Sequence, residues 1–170
     1  MRTFISIVRT FVLALALALL ITEFVVVNAS VVSGSMEQTI MTGDRVICNR
    51  LAYLRREPAR FDVVAFNHFE DGQRWVYVKR IVGMPGERLE ILDGIVHITG
   101  KDAPLPYCFV YGEIRGNYGP FYIPPGHFFV LGDNRVSSYD SKNWPDPFLP
   151  RENILGRAVF IYHPRLSLVS

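Results

Sequence analysis

Three short stretches of this 170-residue chain carry side chains that could do chemistry together. The first, Ser33-Gly34-Ser35-Met36, sets two hydroxyls around a glycine shortly before Gly43-Asp44. A serine beside glycine lies in permissive backbone that can present a hydroxyl and an unused N–H at one point, as acyl transfer requires. The same tripeptide is equally at home in a linker. The second stretch is Trp75-Val76-Tyr77-Val78-Lys79-Arg80-Ile81-Val82. On a strand Tyr77, Lys79 and Ile81 share one face, and Val78, Arg80 and Val82 the other. Two adjacent bases in an apolar strand cannot both be buried cheaply, so one must be paired or neutral. A free lysine of pKa about 10.4 is neutral in less than about one molecule in a thousand at pH 7. Burial lowers that pKa by up to roughly 3–5 units and makes the amine a usable general base. The alternative is a pair of edge-strand charges. The third stretch, Gly132 to Lys142, is dense in polar side chains directly after the apolar run His127–Leu131. It reads either as a turn with Asx-type hydrogen bonds or as a wall of hydroxyls and carboxylates facing the other two.

Other reaction centres are not spelled out in the chain. It has no HExxH, Cys-x-x-Cys, Gly-x-Ser-x-Gly, Ser-x-x-Lys or phosphate-cradling loop. The four histidines, His68, His97, His127 and His163, are scattered, and nothing singles one out for a Ser-His-Asp triad. Two cysteines, Cys48 and Cys108, are too few for a disulfide scaffold or a four-thiolate zinc site, and their spacing does not tell whether they pair. The balance of 18 Lys and Arg against 16 Asp and Glu is too even for a protein that neutralises nucleic-acid phosphates.

The elements that must position these stretches follow from patterning. The apolar excess sits at the N-terminus, where Thr10 to Ile21 reads TFVLALALALLI and Phe24-Val25-Val26-Val27 follows Glu23. Arg2 and Arg9 precede it. Over the next roughly fifteen residues the only base is Arg45, beside Glu37 and Asp44, so the positive-inside bias leaves the N-terminus in the cytoplasm and the rest outside. The expected division is a cytoplasmic N-terminus over 1–9, a transmembrane anchor over 10–29 and an extracytoplasmic domain over 30–170. A cleaved signal peptide ending at Val27-Asn28-Ala29 is the competing reading, and it exports the same remainder. Beyond the anchor, β-type runs rich in Val, Ile, Phe and Tyr are expected at Arg45–Asn49, Asp62–Phe66, Trp75–Val82, Arg88–Leu92, Ile95–Thr99, Phe128–Leu131 and Ala158–Tyr162. Asp93-Gly94 between two such runs predicts a type I′ hairpin, and Gly83-Met84-Pro85-Gly86 a second turn. Most of the eleven prolines fall between Pro104 and Pro150, a loop-rich third. The exported part reads as a mainly β domain closing a barrel or folded sheet, with at most a turn or two of helix after Pro150.

Taken in order, the motifs resemble those of bacterial type I signal peptidases, a serine–lysine protease family. The resemblance runs through Ser33–Met36, Gly43-Asp44-Arg45-Val46, Phe61-Asp62-Val63-Val64-Ala65-Phe66, Tyr77 to Gly86, Gly132-Asp133-Asn134-Arg135 and Gly156-Arg157-Ala158. It implies a folded β domain, related to that of the self-cleaving SOS repressors, after a single N-terminal membrane helix, in the compact form typical of Gram-positive bacteria. By position it implies Ser35 as nucleophile, Lys79 as general base, and the Ser33 hydroxyl with the Ser35 N–H as oxyanion hole. Ser138 matches the serine that orients the lysine. Arg80 with Asp133, and Asp140 with Lys142, match structural ion-pair positions, while Val31, Met36, Tyr77 and Val78 match substrate-pocket walls. No metal or organic cofactor is implied. The implied partners are signal peptides of exported preproteins and the lipid bilayer, with no nucleic acid and a monomer as the default.

Gln38 stands where the family usually has proline, which should loosen that turn, and Val136 replaces a common acidic residue, weakening local charge pairing. Val27-x-Ala29 also resembles the family's own substrate, so self-cleavage after Ala29 is a corollary. Two rival readings remain. An SOS-type self-cleaving repressor domain conflicts with the exported topology. A catalytically silent, membrane-anchored binding module of the same fold differs only in activity, and Ser35, Lys79 and Ser138 offer no lesion that would explain silence.

Overall fold

The computed structural model describes residues 2–101, 103–105, 110–112 and 116–169. An apolar helix, α1 (Arg2–Phe24), leads into strand β1 (Val26–Ser30). There follow β2 (Arg45–Asn49), β3 (Val63–Glu70), β4 (Gln73–Gly83), β5 (Arg88–Leu92), β6 (Ile95–Ile98), β7 (Tyr118–Tyr122), β8 (His127–Leu131), β9 (Leu149–Pro150), β10 (Ile154–His163) and β11 (Ser167–Leu168). Among the described residues the fold is mainly β, as expected. The turn after Pro150 is a single 3-10 turn, Arg151–Asn153.

The main sheet has the order β1-β2-β10-β3-β4-β8-β9, with β11 beside β10, and a smaller sheet has the order β6-β5-β7. Neighbours pair antiparallel throughout. Cys48, on β2 between β1 and β10, sits in a core with Val27, Val46 and Ile161, and burial pushes its thiol up to about 12. Cys108 lies outside the described residues. A second core gathers Phe66, Ile81, Val130 and Trp144, and a third joins the small sheet to the large one through Leu89, Ile91, Phe129 and Leu131.

The local signals that depend on turn chemistry are realised. Asp93 and Gly94 adopt φ of 48° and 81°, the left-handed pair that a type I′ hairpin demands. Asp71-Gly72 forms the same turn between β3 and β4, with φ of 50° and 74°, so both strands outrun the expected Asp62–Phe66 and Trp75–Val82. Pro120 lies in β7, at the edge of its sheet, where a missing N–H is tolerated.

Two expectations differ from the structure. The anchor was expected over 10–29, but α1 ends at Phe24 and residues 26–30 form β1, pairing with β2 from Val26↔Asn49 to Ser30↔Arg45. The apolar alternation of Val27 and Ala29 that reads as lipid-facing is instead 8% and 7% exposed inside the domain. The helix that is long and apolar enough to span a bilayer covers Thr3–Phe24. The turn at Gln38 is kinked rather than loosened, because Gln38 adopts φ of +75°. Proline, held near −65°, cannot take that conformation.

Candidate active site

The site forms where the three stretches converge around Lys79, inside β4. Residues Gly34–Met36 make one turn of 3-10 helix that buries Ser35 and Met36. A turn of this kind leaves its first N–H groups without acceptors inside the turn, the Ser35 N–H among them. Ser35 Oγ lies 3.3 Å from Ser33 Oγ and 2.5 Å from Lys79 Nζ.

Lys79 is 4% exposed. Burial is the main influence on its amine and lowers its pKa from 10.5 to about 8; the Asp140 carboxylate opposes this, Lys142 adds to it, and Asp133 opposes it more weakly. The neighbouring cation is treated in the opposite way. Arg80 clasps Asp133 in a two-pronged pair, Nε to Oδ1 at 2.9 Å and Nη2 to Oδ2 at 2.7 Å, and donates from Nη1 to the Phe61 carbonyl. Alternation along β4 sends the two bases to different surroundings, so a guanidinium can be satisfied beside an amine that has, among the described residues, no carboxylate in hydrogen-bond reach.

The loop Gly132–Lys142 closes the site from the other side. Gly132 is there for space: a Cβ at this position would strike Ser138 Oγ and Cβ and the Ser35 carbonyl oxygen. Its N–H donates to Asp140 Oδ2 at 3.0 Å, and Lys142 Nζ donates to Asp140 Oδ1 at 3.0 Å and to the Ser138 carbonyl at 2.9 Å. Ser138 thus sits against the same glycine as Ser35. Among the described residues its buried hydroxyl makes no hydrogen bond, so the orienting bond to Lys79 that the resemblance implies is not formed here. Val136 is 70% exposed, which removes it from any buried pairing.

Two residues with structural parts in the site carried no role at the level of sequence. The Asn134 N–H donates to the Ser35 carbonyl and its side-chain amide to the Gly34 carbonyl, both at 3.0 Å, fixing the serine turn from outside. Thr39 Oγ1 donates to Asp133 Oδ2 at 2.5 Å, tying the residues after Ser35 to the Arg80 pair. An Asn in the Asx-rich run was a weak signal for the first; nothing in the sequence marked Thr39.

In front of Ser35 and Lys79 lies a cleft of about 670 Å³. It is lined by residues 28–33, by Gln73 and by residues 75–79, so that Val31, Tyr77 and Val78 face it together with Met36. The Tyr77 ring is held from behind: its hydroxyl donates to Glu70 Oε2 at 2.9 Å, and His68 stacks on it at 5.0 Å while stacking on Trp144 at 4.3 Å. His68 is thereby held between two aromatic rings, while the buried amine at the serine is that of Lys79.

The family model described as signal peptidase, peptidase S26, matches residues 4–163. The chain belongs to that family. This signal peptidase homologue is a serine endopeptidase. It is 36% identical to a probable signal peptidase I-2 of Synechocystis over 96% of its own length and 75% of the relative's. It is also 36% identical to signal peptidase I of Bacillus caldolyticus, over 83% and 81%. A probable thylakoidal processing peptidase 2 of Arabidopsis thaliana is 38% identical over 89% of this chain and 42% of that longer protein. A crystal structure of a signal peptidase I from Enterococcus faecalis V583 superposes with a TM-score of 0.48 at 28% identity, covering 60% of this chain and 97% of that one.

Proposed function

We propose that the protein cleaves signal peptides from exported preproteins at the outer membrane surface, with Ser35 as nucleophile and Lys79 as general base. The observation that supports this most directly is the 2.5 Å approach of Ser35 Oγ to a buried lysine whose pKa is lowered to about 8. At pH 7 about a tenth of such an amine is neutral, roughly 300-fold more than for a free lysine.

In the first half-reaction neutral Lys79 Nζ takes the Ser35 proton as Oγ attacks the scissile carbonyl carbon. The oxyanion would accept hydrogen bonds from the Ser35 N–H and the Ser33 hydroxyl. Collapse breaks the C–N bond, and the Lys79 ammonium returns the proton to the departing amine, the new N-terminus of the mature protein. Lys79 then takes a proton from water as the hydroxide adds to the Ser35 ester carbonyl. Collapse breaks the C–Oγ bond as the Lys79 ammonium returns that proton to Ser35 Oγ, and the signal peptide leaves as a carboxylic acid that ionises in solvent.

The shape of the cleft suits an extended chain. Residues 73–79 of β4 pair with β3 on one side, while β8 joins the other side only from Arg80 onward. An incoming strand can therefore add its backbone there, and its alternate side chains would drop between Val31, Met36, Tyr77 and Val78. Two positions separated by one residue face the same walls, which supports a preference for small-x-small sequences. Arg80, Asp133, Asp140 and Lys142 would hold the site's frame.

The helix α1 would anchor the enzyme as a single span with its N-terminus in the cytoplasm, acting as a monomer. Self-cleavage after Ala29 is disfavoured, because Val27 and Ala29 are core residues of β1 and cutting there would strip the sheet edge. The test is cleavage of a synthetic signal peptide by the full chain in detergent. Wild type should cut after the second small residue and Ser35→Ala should not; equal cutting by Ser35→Ala would end the assignment.

A further inference from the structure

Helix α1 needs its whole length to cross a bilayer. Thr3–Phe24 is 22 residues, roughly 33 Å at 1.5 Å per residue, against a hydrocarbon core of about 30 Å. Phe24 then ends at the outer edge of the hydrocarbon, and Val25 lies among the headgroups. There the Val25 carbonyl accepts a hydrogen bond from the Arg50 N–H at 2.9 Å, and Asn49 pairs with Val26. The segment that follows, the 3-10 turn Arg50–Tyr53 with Leu54 and Arg55, is therefore held by the backbone itself at the level where α1 leaves the membrane.

Its side chains suit that place. Leu51 is 43% and Leu54 74% exposed. Arg50 and Arg55 are exposed on either side of them. Among the described residues neither pairs with a carboxylate, whereas Arg56 and Arg151 are tied to Asp62 and Glu57 and both lie over the Tyr53 ring. Two uncovered leucines bracketed by unpaired arginines form a small amphipathic face: apolar groups for the acyl boundary and guanidinium groups for phosphates.

We propose that residues 50–55 are an interfacial foot, with Leu51 and Leu54 at the acyl–headgroup boundary and Arg50 and Arg55 on the phosphates of anionic lipids. The foot adds a second membrane contact to α1 and sets the height of the cleft above the bilayer. It rests on the reading of α1 as a membrane span, so that reading carries its own control.

The test uses the full chain with Cys108→Ser in vesicles of phosphatidylcholine containing a minority of phosphatidylglycerol. A nitroxide is attached at Leu54→Cys, at Leu13→Cys in mid-helix, or at Leu166→Cys. Leu166 is 77% exposed, beyond the end of β10 where His163 pairs with Arg45, opposite the foot. Accessibility to oxygen, which concentrates in lipid, is compared with accessibility to a water-soluble nickel chelate. The label at 54 should show an oxygen-to-nickel ratio several-fold above that at 166, falling toward it when Arg50→Gln and Arg55→Gln are combined. A label at 54 as open to nickel as the one at 166, with the label at 13 in lipid, overturns the foot alone. Shielding of 54 from both reagents means a protein contact there and overturns it too. A label at 13 that is not in lipid overturns the anchor and the foot together.

Discussion

Two lysines are buried within the same site, and their surroundings differ in one respect. Lys142 reaches Asp140 Oδ1 at 3.0 Å and the Ser138 carbonyl, with 5% of its side chain exposed. Lys79 is as deeply buried, yet its nearest polar contact is a serine hydroxyl. A carboxylate in contact keeps a buried amine as a structural cation. Where the carboxylates stay one layer back, as Asp140 and Asp133 do behind Lys79, burial dominates and the amine becomes able to lose its proton. On the proposed reading one site uses the same residue type once as frame and once as base, and the fold distinguishes them by what it places within 3 Å.

The sharpest way to break this comparison is to remove each lysine in turn. Lys79→Ala should reduce kcat on a signal-peptide substrate by about a thousandfold or more with the fold intact, because acyl transfer loses its proton acceptor. Circular dichroism and a cleavage assay on the same sample separate the two effects. Lys142→Ala should do the reverse in kind. It leaves Asp140 charged and 0% exposed without its partner, a loss of about 3–5 kcal/mol of stability by denaturant titration. Asp133→Ala should cost a similar amount, since it removes the carboxylate that Arg80 Nε and Nη2 both hold.

A smaller effect has the opposite sign. The folded-state pKa of Lys79 is depressed, so between about 8 and 10.5 the unfolded chain binds more protons and stability rises with pH. Lys79→Met removes a desolvated cation while keeping most of its volume. It should therefore be more stable than wild type at pH 7 by at most about 3 kcal/mol. The gain should shrink to nothing as the pH climbs through that window. An unchanged gain at high pH would mean that packing, rather than charge, is responsible. Smallest of all, Gln38→Gly should stabilise by about 1 kcal/mol by relieving a positive φ, and Gln38→Pro should destabilise, both read from thermal midpoints.

How far all this could be read in the sequence depended on whether the cause was local. The Asp93-Gly94 hairpin and the strands Arg45–Asn49 and Arg88–Leu92 follow from turn chemistry and alternation within a few residues. The boundary at Phe24 did not, because Val26 and Val27 look the same to a bilayer as to a protein core, and only the pairing with β2 decides between them. Lys79 was marked by the anomaly of two bases in an apolar strand, and Ser35 by its glycine neighbour and the resemblance. Asn134 and Thr39 work through hydrogen bonds across about a hundred residues of chain, for which no local pattern exists. The resemblance gave Ser138 an orienting role, but its hydroxyl makes no such bond here.

The central claim, that Lys79 is the base, is tested most directly by the pH dependence of kcat/KM for signal-peptide cleavage between about pH 6 and pH 10, which reports groups on the free enzyme. The account predicts a tenfold rise per pH unit at the acid end, bending to a plateau at an apparent pKa of about 8. A limb that keeps rising toward the ordinary lysine value, or a limb near 8 that survives in the residual activity of Lys79→Ala, would contradict it.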